Sequence, residues 1–214
     1  MKGAFPLLAL FLVAACARPL STAETEFANA LFGDTLDTKA VKVHAGLGLT
    51  PLPRARPPVA SGAATQAVPA NFCTRTPQPR RLQLPAAFVL YNSVFIRHRY
   101  YAADTFQGWP EQVPLPQALL MAHELAHVWQ WQNRDLTAYR PATSAAESVA
   151  QDDPYYWQAQ DHAFLSYGYE QQAAIIEDYV CNRLFAPHSP KLRELEVILH
   201  PVIPLRRFED ALAR

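Results

Sequence analysis

The residues best able to do chemistry in this chain are His123, Glu124 and His127, set in the pentad His123-Glu124-Leu125-Ala126-His127. An apolar run, Ala118 to Ala122, leads into it, and Val128 and Trp129 follow. Pro114 and Pro116 lie just ahead, where a first helical turn tolerates proline. The stretch predicts a helix over 117–133. On it the two histidines fall at i and i+4, on one face, where they can grip one Zn²⁺ together. Glu124 sits about 100° round the helix from His123, placed to act on a water rather than to bind the metal. A buried helix with hydrogen-bonded core histidines would carry the same letters. Against that, two imidazoles and a carboxylate in so apolar a helix are costly unless something satisfies them.

A catalytic zinc needs a third protein ligand and an open position. The extended pattern HExxHxxGxxH is excluded, because Gln130 and Asn133 stand where it needs Gly and a third His. His162, His188 and His200 lie at no diagnostic spacing. A glutamate on a second helix is the better candidate. Glu170 and Glu177 share one face of a helix over 164–184, interrupted near Gly168, with the small Ala173 and Ala174 between them. Small residues on that face would let the second helix approach the first. A solvated acidic face, with alanines chosen for helix propensity, is the plainer alternative.

Together, the runs His123–Gln130 (HELAHVWQ) and Tyr169–Tyr179 (YEQQAAIIEDY) resemble small bacterial metallopeptidase-like proteins with gluzincin-type sites, often met in secretion-associated or Rhs-like proteins. The resemblance implies that His123, His127 and Glu170 bind Zn²⁺ and that Glu124 is the general base. Glu170 to Ala173 fits the family's ExxA form; Ala174 stands where the ExxxD form needs Asp. The residue that orients the histidines from outside is left between Glu177 and Asp178. A tetrahedral oxyanion needs a second electrophile, and Tyr155, Tyr156, His162, Tyr167 and Tyr169 all precede or open the ligand helix. The fold expected is α+β: a helix-rich, zincin-like single domain with a small antiparallel sheet beside the pentad helix. A peptide or protein substrate could pair along that sheet's edge.

The ends place the chain outside the cytoplasm. Residues 1–15 read as a signal peptide, with Lys2, an apolar run to Val13 and small residues after it, too short to be a membrane span. Leu12 to Cys16 resembles the lipobox of bacterial lipoproteins, which implies cleavage before Cys16 and a lipid on it. Ala17, in place of Asp, points to the outer membrane, with the protein facing the periplasm. Ordinary cleavage after Ala17 is the alternative. Setting Cys16 aside leaves Cys73 and Cys181, which an oxidising compartment would allow to join; two buried thiols are the other reading.

Charges balance and half of the residues are hydrophobic. Nucleic acid is excluded as a partner by the lack of any basic run beyond Arg80-Arg81 and Arg206-Arg207, and the lipid is the sole tie to a membrane. Oligomeric state leaves no signature. After the signal, 16–45 reads as the first segment of the mature domain, 46–79 as a Pro-rich linker or wrapping loop, and 80–214 as the metallopeptidase-like domain. Within it, short strands are expected over 82–84, 87–90 and 94–96, an irregular stretch over 134–161 with a helical turn at 142–149, and tail helices over 190–199 and 205–213. A helix over 22–32, stopped by Gly33, precedes them. The function expected is zinc-dependent amide hydrolysis. The alternative is a non-catalytic zinc-binding envelope lipoprotein, serving interaction or secretion.

Overall fold

Ser21 opens the first helix, α1 (Thr22–Phe32). Its hydroxyl accepts the Glu24 N–H at 3.0 Å while the Glu24 carboxylate accepts the Ser21 N–H at 2.8 Å, so two orphan donors are satisfied reciprocally. Gly33, at φ 57°, ends the helix in a conformation that costs glycine nothing. The structure is a computed structural model describing residues 16–53, 68–69, 71–79, 85–159 and 163–213. The expected signal over 1–15, the strand over 82–84, His162 and much of the Pro-rich segment lie outside the described residues.

Four short strands, β1 (Ala17–Arg18), β2 (Lys42–Ala45), β3 (Ala87–Leu90) and β4 (Ser93–Ile96), form one sheet in the order β1-β2-β4-β3. The β3–β4 hairpin turns through Tyr91 at φ 59° and is antiparallel, as is β1 on β2. β2, however, runs parallel to β4, with Val43 opposite Val94 and Ala45 opposite Ile96. The sheet is therefore mixed, which corrects the antiparallel sheet expected from sequence. Alternation of side chains encodes which face a strand buries but not the direction of a partner brought from far along the chain.

Helix α2 (Gln117–Gln132) lies between the sheet and a second long helix, and is buried on nearly every side from Ala118 to Gln130. Such all-round burial is what an apolar helix without a polar stripe requires. After it come α3 (Arg134–Thr137), α4 (Pro141–Ala150), α5 (Tyr169–Phe185), α6 (Pro190–Leu199) and α7 (Arg206–Leu212). The stretch read as a helical turn at 142–149 is a full helix, α4, opened by Pro141. The helix expected from 164 starts at Tyr169, after a separate 3-10 turn over Phe164–Ser166.

The main helix contact is α2 on α5, where Ala122, Ala126, Ala173 and Ala174 are all fully buried. Elsewhere the core is aromatic. Phe27 of α1 stacks on Phe106 at 3.6 Å between ring centroids and meets Trp109 and Phe208 edge-on. That cluster ties the N-terminal helix to α7, so the ends of the described chain share one core with the middle. Cys73 and Cys181 are joined in a disulfide that spans 108 residues of sequence. No helix among the described residues is long and apolar enough to cross a membrane.

Candidate metal centre and its cleft

His123 and His127 project from α2 toward the start of α5, where Glu170 is the second residue of the helix. The three side chains are buried, and each offers one ligand atom within 4.8 Å of the others, a group that could hold a metal ion. Glu170 Oε2 lies 3.3 Å from His123 Nε2 and 3.1 Å from His127 Nε2. Tetrahedral coordination with ligand bonds of about 2.0–2.1 Å spaces neighbouring ligand atoms roughly 3.3 Å apart, so the spacing fits.

The hydrogen bonds on the far side of each ring decide what those contacts are. Gln130 donates its amide N–H groups to Tyr169 O and Gln172 Oε1, both at 3.0 Å, so its oxygen must accept from His127 Nδ1, at 2.8 Å. Glu177 is a carboxylate and can only accept from His123 Nδ1, at 3.3 Å. Both imidazoles thus carry a proton on Nδ1 and turn Nε2 toward one carboxylate oxygen, an acceptor nitrogen whenever the ring is neutral. With neutral rings, acceptor turned on acceptor is repulsive, so the site demands a positive charge there, supplied by protons or by a metal ion. The titration of the bare site expresses the same demand. Burial opposes charge on His123, yet hydrogen bonds with Glu170 and Glu177 outweigh it and raise its pKa to about 10. His127 moves the same way against the same burial, chiefly through the charge of Glu170. Glu170 itself, despite burial, is held well below the usual carboxylate range by the two histidines. The donor set fits a divalent cation.

Helix α4 completes the setting of Glu170. Ser148 donates to Glu170 Oε1 at 2.8 Å and Ser144 to the same oxygen at 3.3 Å. Glu147, between them, accepts the Tyr169 N–H at 2.7 Å and so caps the N-terminus of α5. A Cβ at Gly168 would collide with that Glu147 carboxylate, which would have to shift to make room. None of these partners was identified from the sequence. Ser144 and Ser148 do repeat at i and i+4, a faint sign of a shared face.

The triad opens onto a cleft of about 1260 Å³, with strand β3 along one wall and α4 along the other. Glu124 lines it, 3% exposed, and its Oε2 is buried without a hydrogen-bond partner among the described residues. Burial, partly offset by the charges of His123 and His127, raises the Glu124 pKa to about 7. Of the expected oxyanion groups, Tyr155 lines the cleft, its ring 5.6 Å from His123. Tyr156 instead accepts from Gln158, Tyr167 donates to Gln158 O and Tyr169 donates to Ala138 O. Tyr139, which no motif in the sequence marks, lines the cleft with its ring 6.0 Å from His127. Burial raises the pKa of Tyr139 to about 12 and lifts that of Tyr155 further, so both keep their protons. Of the two residues considered for orienting the histidines, Glu177 reaches His123, whereas Asp178 turns to Arg75 and Trp157. Cys16 immediately precedes β1.

No family model matches the chain, and no curated protein matches it. Among solved structures, the effector domain of Pseudomonas aeruginosa VgrG2b is similar, with a TM-score of 0.51 and 19% sequence identity, the match covering 86% of this chain and 83% of that one. At that identity the likeness is one of fold: this chain shares the helix-rich α+β architecture of an effector domain.

Proposed function

We propose that the chain is a zinc-dependent peptidase-like hydrolase that cleaves amide bonds in an extended peptide or protein segment. One observation carries the reading: two imidazole Nε2 atoms converge on one Glu170 oxygen, at the wall of a large cleft also lined by Glu124, whose Oε2 has no hydrogen-bond partner among the described residues. Two imidazoles and one carboxylate are a donor set suited to Zn²⁺. Bound there, zinc would supply a Lewis acid that polarises a carbonyl and acidifies water.

The chain's own residues account for the remaining work. Glu124, with a pKa of about 7, takes a proton from the attacking water and returns it to the leaving nitrogen. Tyr139 and Tyr155 remain protonated and donate to the oxyanion that develops on the carbonyl. Strand β3 is an edge among the described residues, so its outer backbone can pair with an extended substrate. In this reading Cys16 carries an acyl anchor at the outer membrane, and the chain acts in the periplasm.

Glu124→Gln should keep the fold and the metal but lower cleavage in a peptide-library assay by about 10²- to 10⁴-fold. A metal-loaded wild type that cleaves nothing would leave a zinc-binding module without turnover. A Glu124→Gln variant as active as wild type would remove the base from the mechanism. For the anchor, the intact mass of the exported protein decides: acyl groups on Cys16, or a chain starting after Ala17 without lipid.

A further inference from the structure

Arg75 reaches the centre from a segment that the proposed chemistry does not otherwise use. Residues 71–79 contain neither helix nor strand. They are tied at Cys73 to Cys181 by the disulfide, and near the far end the Gln78 N–H donates to Asp153 at 2.7 Å. Between these ties, Arg75 Nη2 donates to Glu177 Oε2 at 2.9 Å and to Asp178 Oδ1 at 2.8 Å. Trp157 Nε1 steadies the other Asp178 oxygen at 2.8 Å. The Glu177 Oε2 that receives Arg75 is the same atom that receives His123 Nδ1–H.

We infer that the disulfide-held Arg75 is a positioning residue of the metal centre, so that metal affinity depends on the Cys73–Cys181 bridge being closed. This rests on the metal reading above. Glu177 and Asp178 are adjacent carboxylates that repel each other, and Glu177 is a quarter exposed. Without the guanidinium between them, Glu177 is free to turn to water. His123 then loses the acceptor that fixes its tautomer and ring orientation, and its Nε2 is no longer presented.

The bridge supplies Arg75 at that spot. Cys181 is one helical turn beyond Glu177, and Cys73 is two residues from Arg75, a span of about 7 Å of extended chain. With the bridge open, bringing Arg75 back requires closing a long, proline-rich loop against its entropy. Opening takes two electrons and two protons from a dithiol, which leaves as its own disulfide. Closing returns them to a disulfide donor. A chain in a reducing compartment would therefore hold metal weakly and tighten its grip after reaching an oxidising one.

The test compares wild type, Arg75→Gln with the bridge intact, and Cys73→Ser/Cys181→Ser, each checked for folding by circular dichroism. Zn²⁺ affinity is read by competition with a chromophoric chelator, and the visible absorption of bound Co²⁺ reports ligand geometry. Both variants should bind about 10- to 100-fold more weakly and show altered Co²⁺ bands. Adding Arg75→Gln to the double serine chain should cost little more, because the two act through one contact. Arg75→Gln with wild-type affinity and spectrum overturns the inference, and it remains decisive if the bridge-less chain does not fold. Loss in Arg75→Gln but none in the double serine chain overturns the dependence on the bridge. Wild type that binds no metal overturns the metal reading and this inference with it.

Discussion

Glu170 has two oxygens and a separate task for each. Oε2 faces the two imidazoles, while Oε1 takes the hydroxyls of Ser144 and Ser148. The serines fix the carboxylate's rotation, so their removal should be felt at the metal. Ser144→Ala/Ser148→Ala is expected to weaken Zn²⁺ binding about tenfold, measured by chelator competition, with little change in the melting of the metal-free chain. Unchanged affinity would reduce the two hydroxyls to packing. At this scale the sequence was legible where spacing alone carries geometry. Positions i and i+4 on α2 follow from helical periodicity, which also puts Glu170 and Glu177 on one face of the second helix; the choice of Glu170 comes from the resemblance. Tyr139 and the serines were not legible, because their approach depends on how the chain turns back after α2. Ala138, in the left-handed conformation at φ 56°, makes that turn, and no alanine advertises it.

Two elements carry positioning that can be tested apart from chemistry. Gly168 has ordinary backbone angles for any residue, φ −59° and ψ 158°, so the cost of Gly168→Ala lies in the collision with Glu147. Losing that cap should cost about 1 kcal/mol, a fall of roughly 2–4 °C in melting temperature. The penalty should vanish in a Glu147→Ala background; a penalty that persists would place its cause elsewhere. The second element is α1, whose fully buried Glu24 binds Arg18 and accepts from Ser21 and Thr105. Burial alone would raise its pKa, but these donors outweigh it and hold it below the ordinary 4.5. A depressed folded pKa stabilises above the unfolded value and is lost as pH falls through the folded one. Glu24→Gln should therefore cost about 3 kcal/mol at pH 7, by denaturant unfolding, with the gap to wild type closing in acid. A gap independent of pH would contradict the ion pair. Helix α1 and its stop at Gly33 were readable from local capping signals. The parallel pairing of β2 with β4 was not, since it joins residues that share no local signal.

At the scale of the molecule, aromatic contacts from α1 to α7 join the chain into one core. Unfolding should therefore be a single transition, and removing the disulfide across 108 residues should lower stability by about 2–4 kcal/mol. Two resolved transitions would divide the core. The α+β class was readable from the alternation of short strand and long helix patterns. The role of residues 71–79 was not: proline-rich composition reads as linker, and Arg75 gains its meaning only from Cys181 and Glu177 across the fold. All of this turns on the metal. The most direct measurement is elemental mass spectrometry of the purified protein, wild type beside Glu170→Ala. Wild type should carry about one zinc per chain and the variant little or none. Wild type that holds no zinc even after reconstitution would contradict the metal reading.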